Sequence, residues 1–274
     1  MRFRPIRDIS DEEADSYERD GVVCLRQLFD ADTVAMLRDV AERDMAAPSP
    51  MALDATRGGD GRFFADTFVW QHFTELRDFV LNSPAADIAA ALLRSRKVNL
   101  LFDQFLIKEP GTSARTLWHH DQPYWPVAGS QICTLWLALD TVTAQSGAVE
   151  YVCGSHRWGQ RYKAVSFKDE NLYKEELPPV PDIDAMRDTL KLVQYELEPG
   201  DCTVHHGLTV HGAPGNSSSA LKRRGYIVRW MGQDVTYNPR PNIQPMLYDP
   251  EIPAGGPLDC ALFPVVRNGV GRAR

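Results

Sequence analysis

The chain has 274 residues, 43% hydrophobic and 24% charged, which is enough apolar material for one sizeable core and excludes wholesale disorder. Its 30 basic and 37 acidic residues give a formal net charge of −7, an unfavourable balance for a polyanionic partner, so no nucleic acid is expected. Five widely spaced cysteines with no CxxC pair argue against a disulfide framework or a zinc knuckle.

Along the chain, Ser10 followed by Asp11, Glu12 and Glu13 predicts a capped helix that Gly21 ends, and Val22–Leu25 is a short strand. Asp30 or Asp32 starts a second helix, in which Val34, Leu37, Val40 and Ala41 recur at helical spacing. Residues 47–62, rich in Pro, Gly and Ala, read as a loop. Ser83-Pro84 opens a helix through Ala85–Leu93. From about residue 98 the texture changes to short apolar runs: Val98–Ile107, Ile132–Leu139, Ala148–Val152, Leu192–Leu197, Cys202–His206 and Tyr226–Met231. Pro- or Gly-bearing turns separate them, a pattern of sandwiches and barrels. Residues 157–190 interrupt it as a polar insertion over one end, of the kind that often forms a lid. No stretch reaches the roughly 18 apolar residues of a membrane span. Met1-Arg2-Phe3-Arg4-Pro5 leads into no apolar segment, so the expectation is a cytoplasmic protein.

His119 and Asp121 stand two apart, a spacing that puts both side chains on one face of a strand and turns His120 away. His211 follows 92 positions later. Two imidazoles and a carboxylate can take one face of an octahedral ferrous ion and leave the other positions open. The bare His-Xaa-Asp pair is a weak signal, since such pairs also occur as ordinary polar residues at strand ends.

The surrounding blocks make it specific. Trp118-His119-His120-Asp121-Gln122-Pro123-Tyr124 resembles the metal-binding strand of the phytanoyl-CoA dioxygenase family. Leu135–Asp140, Ser146–His156, Pro199-Gly200-Asp201 and His211–Tyr226 resemble that family's later blocks in the same order, and Tyr17–Leu28 resembles its opening. Ser146, Cys153 and Ala213 stand where the family more often has Asn, Pro and Ser. The resemblance spans about residues 10–240.

It implies a mainly β protein with flanking helices: a double-stranded β-helix (a jelly-roll, cupin-like barrel) with N-terminal helices packed on one sheet. The whole chain, 1–274, would be one domain, helical over about 10–95 and jelly-roll over about 98–240. It also implies Fe(II), 2-oxoglutarate and O2 as cofactors, and hydroxylation of an unactivated C–H bond of a small organic substrate as 2-oxoglutarate is decarboxylated to succinate. Desaturation, cyclisation or epimerisation are alternatives on the same chemistry. A metal isomerase or hydrolase working without O2 is a more distant one, which Arg223 and Trp136 argue against.

By position, His119, Asp121 and His211 would hold the metal. Arg223 would pair with the distal carboxylate of 2-oxoglutarate, since a guanidinium fork matches two carboxylate oxygens. Arg223 is favoured over its neighbour Arg224 because it lies two residues before the small Gly225. Trp136, and with less support Gln104 and Thr116, would line the same pocket. The retained Asp121 argues against halogenation, for which that carboxylate is replaced by a small residue. Tyr124, Trp125 and Arg229 are substrate-side candidates; a buried salt bridge is the competing role for Arg229. His205 falls on the His211 face if one unbroken strand joins them, with a satisfied polar role as its other reading. His156 belongs to a turn, and Lys108 shares the Gln104 face.

Overall fold

The computed structural model describes residues 7–56, 61–165, 175–241 and 243–269. Helix α1 (Asp11–Asp20) starts at a full capping box: Ser10 Oγ accepts from the Glu13 N–H and the Glu13 carboxylate accepts from the Ser10 N–H. It stops at Gly21, whose φ of 74° lies in the left-handed region. β1 (Val22–Leu25) follows, and Asp30 caps α2 (Ala31–Ala46). Next come β2 (Leu53–Asp54), β3 (Phe63–Thr67), α3 (Thr74–Asn82) and α4 (Ala85–Leu92). The remaining elements are strands: β4 (Lys97–Lys108), β5 (Thr116–His119), β6 (Val127–Ala128), β7 (Ile132–Ala138), β8 (Glu150–Val152), β9 (Leu192–Gln194), β10 (Cys202–His206), β11 (His211–Ala213), β12 (Arg223–Met231), β13 (Thr236–Tyr237) and β14 (Val265–Asn268).

They form an eight-stranded sheet ordered β1-β10-β7-β12-β4-β3-β2, with β14 also on β4, and a four-stranded sheet ordered β5-β11-β8-β9. β6 and β13 make a separate pair. The protein is therefore mainly β with a few helices. The segment expected to be helical over 10–95 holds all four helices and the expected strand Val22–Leu25; β2 and β3, not expected from the sequence, also lie within it, and all three strands join the larger sheet. The reading of 47–62 as loop holds apart from the two residues of β2; residues 57–60 lie outside the described residues.

The large sheet is buried on both faces, and strand alternation sorts its residues. On the outer face, Leu135, Leu137, Tyr226, Val228 and Trp230 pack with Tyr17, Leu37, Leu76, Phe79 and Ile88 of the four helices into the main core. Each such aromatic or leucine contributes about 1.5–3 kcal/mol by leaving water. On the inner face, Thr134, Trp136, Gln104, Ile227 and Arg229 turn toward the smaller sheet and line a cavity between the two. The insertion packs Tyr162 and Ile183 against Val152 and Val210, while Val165 reaches the cavity wall. Residues 166–174 of that insertion lie outside the described residues. No helix among the described residues is long and apolar enough to cross a membrane.

Candidate active site

β5 and β11 are antiparallel neighbours, and the register places His211 opposite His119. Their rings stand 4.2 Å apart between centroids. Asp121 is not on the strand. β5 ends at His119, and Asp121 has helical dihedrals (φ −74°, ψ −42°) at the head of a 3-10 turn over Gln122–Tyr124. Strand alternation therefore does not bring Asp121 beside His119; the turn does. His120 points away, as alternation expects, and its Nε2 accepts from the Tyr162 N–H at 2.8 Å.

The three side chains bring one donor atom each to within 4.8 Å of the others. Asp121 Oδ1 lies 3.5 Å from His119 Nε2 and 3.8 Å from His211 Nε2. Each imidazole is fixed from behind: His119 Nδ1 donates to the Leu117 carbonyl at 2.7 Å, and His211 Nδ1 to the Thr209 carbonyl at 2.9 Å. A carbonyl can only accept, so the proton sits on Nδ1 and each Nε2 presents a lone pair. Burial, reinforced by His119 and His205, holds His211 well below the usual histidine range and keeps it neutral.

The carboxylate is fixed as well. Asp121 Oδ2 accepts from Thr134 Oγ1 at 2.7 Å and from His205 Nε2 at 3.3 Å, which leaves Oδ1 for the shared point. Burial pushes the Asp121 carboxyl up, but His119, His205, His211 and Arg229 around it outweigh that and hold it well below the usual carboxylate range. Two imidazoles and one ionised carboxylate, oriented and buried, suit a divalent cation of borderline hardness.

The cavity at this cluster measures about 450 Å³, and both sheets line it. A model of the phytanoyl-CoA dioxygenase family matches residues 17–225. The chain belongs to that family. Among relatives of this family member, a probable phytanoyl-CoA dioxygenase of Caenorhabditis elegans is 23% identical over 235 residues, covering 78% of this chain and 73% of that one. The dioxygenase aneA of Aspergillus aculeatus is 30% identical over 135 residues, 47% of this chain and 37% of that one. Apart from the nematode protein, the chain spans about half or less of the curated relatives it matches. Among solved structures, the non-heme alpha ketoglutarate dependent carbocyclase SnoK from nogalamycin biosynthesis superposes with a TM-score of 0.76 at 25% identity, over 96% of this chain and 98% of that one.

Within this family member's cavity, two arginines share the inner face of β12. Arg223 is buried, with no hydrogen bond or ion pair among the described residues; its guanidinium sits over the Trp136 ring at 5.4 Å, and its Nε is an orphaned buried donor. Burial lowers it to about 10, still fully charged near neutrality. Arg224 faces out and pairs with Asp140 at 2.6 Å and Glu42 at 2.7 Å. The choice of Arg223 over Arg224 as the inward residue therefore agrees with the structure. Gly225 shows why a small residue belongs there: a Cβ would lie 2.4 Å from the Trp136 indole. Lys222 turns to Glu42 and Glu109, so in the basic run of 222–224 the two flanking residues share Glu42 on the outside and only Arg223 points inward.

Trp136, Gln104, Thr116, Tyr124, Trp125 and Arg229 all line the cavity, as does His205. The unbroken strand from His205 to His211 does not exist; β10 ends at His206 and the chain turns before β11. His205 nevertheless reaches the cluster from the larger sheet, with its ring 4.3 Å from that of His211. Arg229 has no ion pair among the described residues, so the buried salt bridge weighed for it is not formed. Lys108 is buried with its ammonium on the Pro214 carbonyl rather than in the cavity. His156 sits in the expected turn, against the Glu18 carbonyl. Sequence reasoning missed Thr134 and Tyr151. They lie in or beside family-like blocks, but nothing in those blocks marks these two residues; the fold brings Thr134 to Asp121 and strand pairing sets Tyr151 opposite His211.

Proposed function

We propose that the chain is an Fe(II)- and 2-oxoglutarate-dependent dioxygenase that hydroxylates an unactivated C–H bond of a small organic substrate, with decarboxylation of 2-oxoglutarate to succinate. The observation that carries this reading is the pairing of the His119–Asp121–His211 donor set with the uncompensated Arg223 guanidinium in one cavity. A buried arginine without a counter-ion is costly unless a ligand completes it. A purely metal-dependent isomerase or hydrolase has no use for that second cation.

His119, Asp121 and His211 would hold the iron, which supplies the activation of O2 when bound. Arg223 would receive the distal carboxylate of 2-oxoglutarate with the two prongs of its fork. Trp136, kept in place by the missing side chain at Gly225, would wall the co-substrate's carbon chain, with Gln104 and Thr116 beside it. Thr134 and His205 hold Asp121 in its ligating rotamer. Tyr124, whose ring meets His119 edge-on with centroids 5.8 Å apart, and Trp125 would orient the substrate with Arg229. The protein's contribution is to hold one C–H bond at the metal and keep water out.

The two sheets would form the double-stranded β-helix of this enzyme class, with residues 1–274 as one domain. The likeness to the SnoK carbocyclase favours ring closure as the second reading, because it requires only a different fate for the same substrate radical.

The test is anaerobic addition of Fe(II) and 2-oxoglutarate to the purified chain. The expected result is a weak visible charge-transfer band that the His211→Ala variant lacks, and succinate release in air. A wild-type protein with neither band nor succinate overturns the reading.

A further inference from the structure

We propose that Arg229 is the anchor for a carboxylate on the primary substrate, so that the enzyme takes a carboxylic acid with an apolar body. This rests on the dioxygenase reading above and adds the substrate class to it.

The observation behind it is a second unpaired cation in the same cavity. Arg229 is 7% exposed. One Nη2 hydrogen goes to Gln104 Oε1 at 2.8 Å, while Nε and Nη1 are buried with no hydrogen-bond partner among the described residues. The guanidinium lies over the Phe102 ring at 4.5 Å and the Trp125 ring at 5.6 Å, which fix its plane without neutralising it. The nearby acids are committed elsewhere. Asp121 Oδ2 is held by Thr134 and His205, and Asp103 accepts from the Tyr226 hydroxyl and the Trp70 N–H.

Charge bookkeeping singles Arg229 out. A divalent metal, Asp121, the dianionic co-substrate and Arg223 cancel one another. Arg229 feels Asp121 and Asp103 nearby but forms no ion pair with either among the described residues, and a buried cation of that kind is matched by one more anion. The co-substrate does not serve both arginines. Arg223 and Arg229 are six residues apart on one strand face, so their Cα atoms are separated by about 20 Å. Arg229 pairs across the sheet with Thr134, beside the metal cluster, whereas Arg223 lies at the far end. Trp125 lies against the guanidinium, and the same cavity is lined by Met51, Tyr124, Val165 and Pro245, a surface suited to a hydrocarbon or aromatic body.

The test is anaerobic calorimetry of matched probe pairs on the Fe(II)- and 2-oxoglutarate-loaded enzyme: 3-phenylpropanoate against 3-phenylpropanamide, and octanoate against octanamide. The wild type is expected to bind the acids about tenfold or more tighter than the amides. Arg229→Gln should reduce that preference to about twofold or less, and Arg229→Lys should keep part of it. Equal binding of acids and amides, or no binding of either acid at millimolar concentration, overturns the proposal. So does a loss of 2-oxoglutarate affinity in Arg229→Gln as large as in Arg223→Gln, which assigns Arg229 to the co-substrate. The wild-type comparison stands even if a variant fails to fold. A missing charge-transfer band in the wild type is a separate failure, that of the dioxygenase reading.

Discussion

Replacing Thr134 by Val tests how far the metal cluster depends on its support from the larger sheet. Thr134 is 2% exposed and donates to Asp121 Oδ2 at 2.7 Å, the shorter of that oxygen's two bonds. Valine has nearly the same shape, so the substitution removes a hydroxyl and leaves packing almost unchanged. A buried hydrogen bond to a charged group is worth about 1.5–3 kcal/mol. At about 1.4 kcal/mol per factor of ten, its loss corresponds to roughly a tenfold to hundredfold weakening of metal binding, since the metal must then hold the carboxylate in place itself. The assay is anaerobic competition for Fe(II) against a chromophoric chelator, with Thr134→Ser as the control that keeps the hydroxyl. Thr134→Val binding Fe(II) within about twofold of wild type would refute the reasoning and leave His205 as the sole support that matters.

The adjacent arginines should separate cleanly. Arg223→Gln should weaken 2-oxoglutarate by about a hundredfold or more, read from the charge-transfer band, because it removes a buried charge from a bidentate partner. Arg224→Gln should leave that affinity within about twofold and cost only part of the outer ion pairs with Asp140 and Glu42. The buried acids predict a pH effect on stability. Asp44 is raised by burial and then by neighbouring Asp66, and burial pushes Asp103 up to about 7. The native state thus keeps protons that the unfolded chain has released, so stability is fully present below the unfolded value of roughly 4 and falls as pH rises toward 7. Asp44→Asn should make that decline shallower in urea titrations across the same range; an unchanged slope contradicts the assignment.

Much of this was legible in the sequence because it is written locally. The Ser10 and Asp30 caps, the stop at Gly21 and the apolar run at 202–206 each need only neighbours along the chain. β3 was missed because Asp66 and Thr67 are buried in the sheet, which removes the alternation that marks a half-exposed strand. α3 starts after Phe73, which provides no side-chain cap, so no start signal announces it. At the site, the spacing of His119 and Asp121 predicted a proximity that the structure has for a different reason, since a turn rather than a strand carries Asp121. Thr134 and the true place of His205 depend on which strands become neighbours, and strand register between separated segments is not encoded in any short window.

The direct pairing of His211 with His119 has a mechanical consequence. A bound ion would fasten two short strands whose ligands lie 92 positions apart in the chain. Through Asp121 it would also rivet the small sheet to Thr134 and His205 of the large one. Such a rivet closes a long loop that is otherwise held at this point by few backbone bonds. Occupancy at a hundred times the dissociation constant adds about 2.7 kcal/mol to the folded state. The catalytic ion would then double as a clasp, and stripping it would loosen the cavity wall first, leaving the helix-backed sheet standing.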